Sequence, residues 1–113
     1  RPMGTLSLPV RLALPREARA GSVISLRLLL QHPMETGYRI GEDGARSPRH
    51  ILTTLRVSYG DRVIADLTLR PAIAANPYFA LSFIADETGP VTLEVADDRG
   101  ATLTETRMLT VVP

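Results

Sequence analysis

The sequence predicts an all-β protein, an immunoglobulin-like antiparallel β-sandwich of about seven strands, built as a single domain over residues 1–113. Three observations lead there. Apolar residues alternate with other residues at period two through most of the chain. Turn sequences rich in Gly, Pro and Asp separate these runs. No segment sustains the 3.6-residue period of an amphipathic helix.

Taken in order, the first run is 6–14, where Leu6, Leu8, Val10, Leu12 and Leu14 share a parity. Pro9 cannot donate to a ladder, so this run is expected at a sheet edge or with a kink. "PREARAG" (15–21) reads as a connection. In 22–31, Ile24, Leu26, Leu28 and Leu30 form one face. In 50–59, Ile51, Leu55, Val57 and Tyr59 face away from Thr54, Arg56 and Ser58. Gly60-Asp61 in "YGDR" then signals a two-residue hairpin. Val63, Ala65, Leu67 and Leu69 alternate with Ile64, Asp66 and Thr68. Phe79, Leu81 and Phe83 make the next face, and Val91, Leu93 and Val95 the one after. "DETGP" (86–90) and "DDRGA" (97–101) are the turns that follow each. The run 102–111 is rich in Thr and Val, which suits a pleated surface, but Glu105 and Arg107 share a parity with Leu103 and Leu109. Two connections exceed ordinary turns: 32–49, an 18-residue gap, and 70–78, which is apolar for a loop. Connections of that kind are disproportionately functional.

Composition narrows the function classes. Apolar residues are 44% and charged residues 22%, ordinary for a soluble globular domain. Net charge is +1, all 13 basic residues are Arg, and the aromatics are two Phe and three Tyr. A nucleic-acid binder needs a basic face or stacking rings, so neither nucleic acid nor membrane is an expected partner. Cysteine is absent, which rules out thiol catalysis, disulfides and a sulfur cargo bound to this chain. The chain begins with Arg1 and shows no signal-peptide pattern, so it reads as processed or cut from a longer polypeptide.

The densest polar stretch is "QHPMETGYR" (31–39). His32 and Met34 could ligate copper, with Glu35, His50, Met3 or Met108 completing the set, because imidazole and thioether suit that metal. Against this, a blue-copper site needs Cys, and no His-x-His or Met-rich cluster occurs. Otherwise His32 closes a strand and Met34 fills a gap. No GxSxG elbow is present, and nothing in the sequence brings Glu35 to Asp86 or Glu87 as a carboxylate pair, so no enzyme activity is expected. The acidic pairs at 86–87 and 97–98 lack the spacing of a calcium loop and read as turns. Docking remains. Ala72, Ile73 and Tyr78 could form an apolar contact centre with Tyr38, Arg39 and Asn76 around it. Folding of 72–75 back onto the domain's own core is equally consistent with the residues, and both readings stay open here.

"HPMETGYR" (32–39), "PRHIL" (48–52), "PAIAANPYF" (71–79) and "DDRGATLTET" (97–106), in that order and over nearly the whole chain, resemble the SoxZ family. Two departures are structurally tolerable: "EVADD" lacks a Trp found in many members, and "YGD" replaces "YNG". The resemblance implies an immunoglobulin-like sandwich in the periplasm, exported with an obligate partner, SoxY, in a heterodimer or higher assembly. It implies that a cysteine arm on SoxY carries covalent sulfur intermediates during thiosulfate oxidation. This chain would then be the non-catalytic companion, without cofactor, meeting other Sox enzymes transiently. Under that resemblance the partner-binding residues are expected among His32, Met34, Glu35, Tyr38, Arg39, Ala72, Ile73, Asn76, Pro77 and Tyr78.

Overall fold

The computed structural model describes residues 8–32, 34, 44, 50–69 and 75–113. Eight strands follow one another: β1 (Val10–Ala13), β2 (Glu17–Arg19), β3 (Val23–Leu30), β4 (Leu52–Tyr59), β5 (Arg62–Thr68), β6 (Tyr78–Ile84), β7 (Gly89–Asp97) and β8 (Thr102–Val112). They form two sheets, β1-β3-β6 and β2-β8-β7-β4-β5. The predicted all-β sandwich is the observed class.

The alternation explains the packing. In β3, Ile24, Leu26, Leu28 and Leu30 are buried while Val23, Ser25 and Arg27 are exposed. Leu55, Val57 and Tyr59 of β4 and Val91, Leu93 and Val95 of β7 meet them from the other sheet in one core. Each fully buried Leu or Val contributes about 1.5–3 kcal/mol of transfer free energy. The three-stranded sheet is the narrower one. Accordingly Leu103 and Val111 on β8 and Leu67 on β5 are half-covered, as are Phe79, Leu81 and Phe83 on β6. β1 is an edge strand, as Pro9 requires, and the Pro9 carbonyl still accepts a bond from the Gln31 amide.

The structure departs from the predicted strands in three places. The connection 15–21 contains β2, which crosses to the larger sheet and pairs in parallel with the end of β8 (Glu17↔Thr110 to Arg19↔Val112). In β5, Val63 is exposed and Ile64 half-buried, the reverse of the predicted parity there. A bulge causes this: Val57 faces Ala65 but Ser58 faces Val63, so Ile64 is an extra residue and the faces exchange beyond it. A second bulge in β4 sets Leu52 against Asp97 and Thr54 against Ala96. The intervening Thr53 donates its hydroxyl to the Ala96 carbonyl at 3.2 Å. Ile51 and Leu52, neighbours in sequence, are therefore both buried. On β8 the mixed face is resolved by an ion pair, Arg107 to Glu105 at 3.0 Å.

The Gly60-Asp61 hairpin forms as predicted, with Tyr59 opposite Arg62 and Gly60 at φ 60°. Positive φ at the first turn position is where glycine carries no Cβ penalty.

Candidate functional site

Four strand ends meet at one end of the sandwich: the close of β3, the start of β4, the start of β6 and the close of β7. The antiparallel β4–β7 register places residue 50 beside Asp97 although the two are 47 positions apart in sequence. Bulges characteristically re-aim side chains, and the one around Thr53 turns this corner.

Asp97 is the anchor. Its side chain is 2% exposed. Oδ1 accepts the backbone N–H of Arg99 at 2.9 Å and of Ala101 at 2.8 Å, holding the turn into β8. Oδ2 lies 2.9 Å from His50 Nε2. Burial pushes the Asp97 carboxyl up, but the bonds from His50, Ala101 and Arg99 outweigh it and hold the group below its ordinary 3.8. The ionised carboxylate only accepts, so His50 Nε2 carries the proton of that bond. Next in the turn, Asp98 Oδ1 accepts the Ile51 amide at 3.2 Å, and the Asp98 amide donates to the Ile51 carbonyl at 2.9 Å. The "DD" pair is thus a turn built on backbone contacts, with its oxygens directed at N–H groups rather than at a calcium position.

His32 is 3% exposed and lies edge-on to His50, with ring centroids 4.5 Å apart at 73°. Its Nδ1 accepts the Met34 amide at 3.0 Å, so the neutral ring carries its proton on Nε2. The 3.5 Å separation of the two Nε2 atoms is then a contact between two N–H groups and not a hydrogen bond. Burial pushes the His32 imidazole down, and the neighbouring His50 pushes it further. Arg99 adds to this, and the attraction of Asp97 and Asp98 does not offset the total.

This geometry also bears on copper. The His32 lone pair is taken by an amide. Met34 Sδ is buried and accepts the Leu52 amide at 3.4 Å. Neither donor is free to turn toward a common ion, and among the described residues no three His, Asp or Glu side chains converge as ligands. Met108 is exposed on β8, opposite Pro90, near the far end of the sandwich. Asp86 is likewise at that far end, paired with Arg62 at 2.8 Å.

The expected partner-binding residues divide. His32, Met34 and Pro77 are buried and shape the end rather than face outward. Asn76 and Tyr78 are exposed, Tyr78 by 58%. Glu35, Tyr38, Arg39, Ala72 and Ile73 lie outside the described residues. The two segments singled out in the sequence do touch: the Asn76 amide donates to the His32 carbonyl at 2.7 Å, and the Leu30 amide to the Pro77 carbonyl at 3.0 Å. Sequence reasoning missed the grouping of His50 and Asp97 with His32. The signal available was the resemblance itself, since "PRHIL" contains His50 and "DDRGATLTET" contains Asp97.

Comparison with solved structures defines the class first. A variant of the superoxide reductase (neelaredoxin) from Ignicoccus hospitalis superposes with a TM-score of 0.71 at 10% identity, covering 96% of this chain and 81% of that one. The sulfur carrier protein SoxY from Chlorobium limicola f thiosulfatophilum superposes with a TM-score of 0.65 at 16% identity, covering 95% and 87%. At these identities the likeness is one of fold, an immunoglobulin-like sandwich. No curated protein matches by sequence. The family model for the sulphur oxidation protein SoxZ matches residues 10–107, most of the chain. The chain belongs to the SoxZ family, and its role is related to sulfur-oxidation carriage.

Proposed function

We infer that this protein is the non-catalytic subunit of a SoxYZ-type sulfur carrier in the periplasm. It binds a SoxY-like subunit whose C-terminal cysteine arm carries covalent intermediates of thiosulfate oxidation, and other Sox enzymes dock on the pair transiently. The observation that carries this reading is the family match across residues 10–107. Two features support it. With no cysteine, the chain has no thiol of its own to hold such a cargo. Exposed Asn76 and Tyr78 stand beside a hydrogen-bonded end of the sandwich, a favourable setting for a contact surface.

Coexpression with a SoxY-like protein tests the reading. A complex that survives gel filtration is expected, while the isolated chain turns over neither thiosulfate nor a sulfonated thiol. Elution of the two proteins apart at micromolar concentration contradicts it.

A further inference from the structure

Among the described residues, two that are not glycine adopt a left-handed backbone, Met34 at φ 50° and Asn76 at φ 52°. Both are bonded to His32, Met34 through the ring Nδ1 and Asn76 through the backbone carbonyl. A side-chain-bearing residue held left-handed costs on the order of 1 kcal/mol or more and persists only where its surroundings hold it there. Met34 is held at two points. Its amide is fixed by an imidazole, and its buried sulfur accepts the Leu52 amide.

We propose that His32 and Met34 form a proton-operated latch: a proton taken up at His32 Nδ1 removes the acceptor of the Met34 amide and loosens the left-handed turn at Met34. The neutral ring already carries a proton on Nε2, so Nδ1 is the only site for a second one. Once protonated, Nδ1–H and the Met34 N–H are two donors about 3.0 Å apart. The left-handed turn then loses one of its two holds.

Among the described residues, the charged groups around His32 set the direction. His50 comes from two residues before β4, Asp97 from the end of β7, and Asp98 and Arg99 from the turn after it. Asn76, whose amide bonds the His32 carbonyl, and its neighbours Ala75 and Pro77 carry no titratable group. Desolvation, His50 and Arg99 resist protonation more than Asp97 and Asp98 favour it, so the latch is closed at neutral pH and opens below the ordinary imidazole value of 6.5. Asp97 stays ionised in that window because its carboxyl is held below 3.8. The His50–Asp97 contact therefore persists while the Met34 turn loosens.

The test is an NMR titration of the labelled full chain from about pH 8 to about pH 5, following the His32 ring nitrogens and the Met34 amide and methyl. The Met34 signals are expected to shift with the same midpoint as His32 protonation. The protection factor of the Met34 amide, its exchange corrected for the intrinsic slowing in acid, should fall by about tenfold or more, while Val91–Val95 amides stay protected. His32→Asn places an amide oxygen where Nδ1 lies and cannot take the proton, so it is expected to abolish the Met34 transition. His50→Gln keeps a donor toward Asp97 and is expected to leave the transition in place. Protonation of His32 without any change at Met34 overturns the proposal. So does a Met34 transition that survives His32→Asn or vanishes in His50→Gln. If His32→Asn does not fold, loss of Met34 amide protection at the His32 midpoint in the parent chain decides alone, and unchanged protection there overturns the proposal.

Discussion

Buried polar side chains hold a distant turn beside each end of β4, Tyr59 at the close and Asp97 and His32, joined by half-buried His50, at the start. Tyr59 is 3% exposed. Its hydroxyl donates to the Glu87 carbonyl and accepts the amides of Asp86 at 3.2 Å and Glu87 at 3.1 Å. Its ring packs on Phe83 at 5.0 Å, under the Arg62 guanidinium at 5.1 Å. One hydroxyl thereby closes the turn between β6 and β7. At the other end the same task is shared by a carboxylate and two imidazoles, and the two left-handed residues other than glycine among the described residues cluster there. The difference teaches that the Tyr59 end is a fastener, whereas the His32 end fastens in a manner that depends on protons. It also lies where the two long connections leave the sandwich.

Several substitutions break this comparison. Asp97→Ala is expected to cost most, about 3 kcal/mol, because it leaves the Arg99 and Ala101 amides and the His50 N–H without their acceptor. Urea unfolding at pH 7.5 measures it. Tyr59→Phe removes one hydroxyl serving three backbone groups and is expected to lose about 1–2 kcal/mol. With no imidazole among its partners, that loss should be the same at about pH 7.5 and about pH 5.5.

Acidity sharpens the contrast further. The folded chain protonates His32 less readily than the unfolded chain does, so this contribution to stability is complete above 6.5 and declines as the pH falls from there. Asp97 has the same sign at lower pH: its contribution is complete above 3.8 and is lost only as the pH falls through the folded value. Acidification from neutrality should therefore lower the unfolding midpoint through His32 first, and His32→Asn should flatten that early decline. Smallest in its effect on folding is Tyr78→Ala, expected within about 0.5 kcal/mol of the parent because the side chain faces water.

The strands were legible because burial imposes period two, and Ile24 to Leu30 shows how directly sequence translates into an inward face. β2 escaped because three residues leave no period to read and its partner, β8, lies at the far end of the chain. The exchange of Val63 and Ile64 escaped because a bulge follows from pairing with β4, which a single strand does not encode. The site was half legible. His32 and Met34 stood out as a polar cluster next to a strand, but their meaning depends on His50 and Asp97, which only the β4–β7 register and the Thr53 bulge bring alongside. Composition pointed to ligands or contacts, and the structure shows two of those side chains turned inward as supports.

The exposed ends of β6 test the central claim, partner binding at the His32 end. Tyr78 and Ile84 terminate the same strand, one beside the His32 group and one beside the Tyr59 turn, and both are exposed, by 58% and 55%. Calorimetric titration of a SoxY-like subunit into the parent chain, Tyr78→Ala and Ile84→Ala compares them directly. The expected result is a one-to-one complex that Tyr78→Ala weakens about tenfold, about 1.4 kcal/mol, and Ile84→Ala leaves unchanged. No heat of binding to the parent, or a loss confined to Ile84→Ala, contradicts the account.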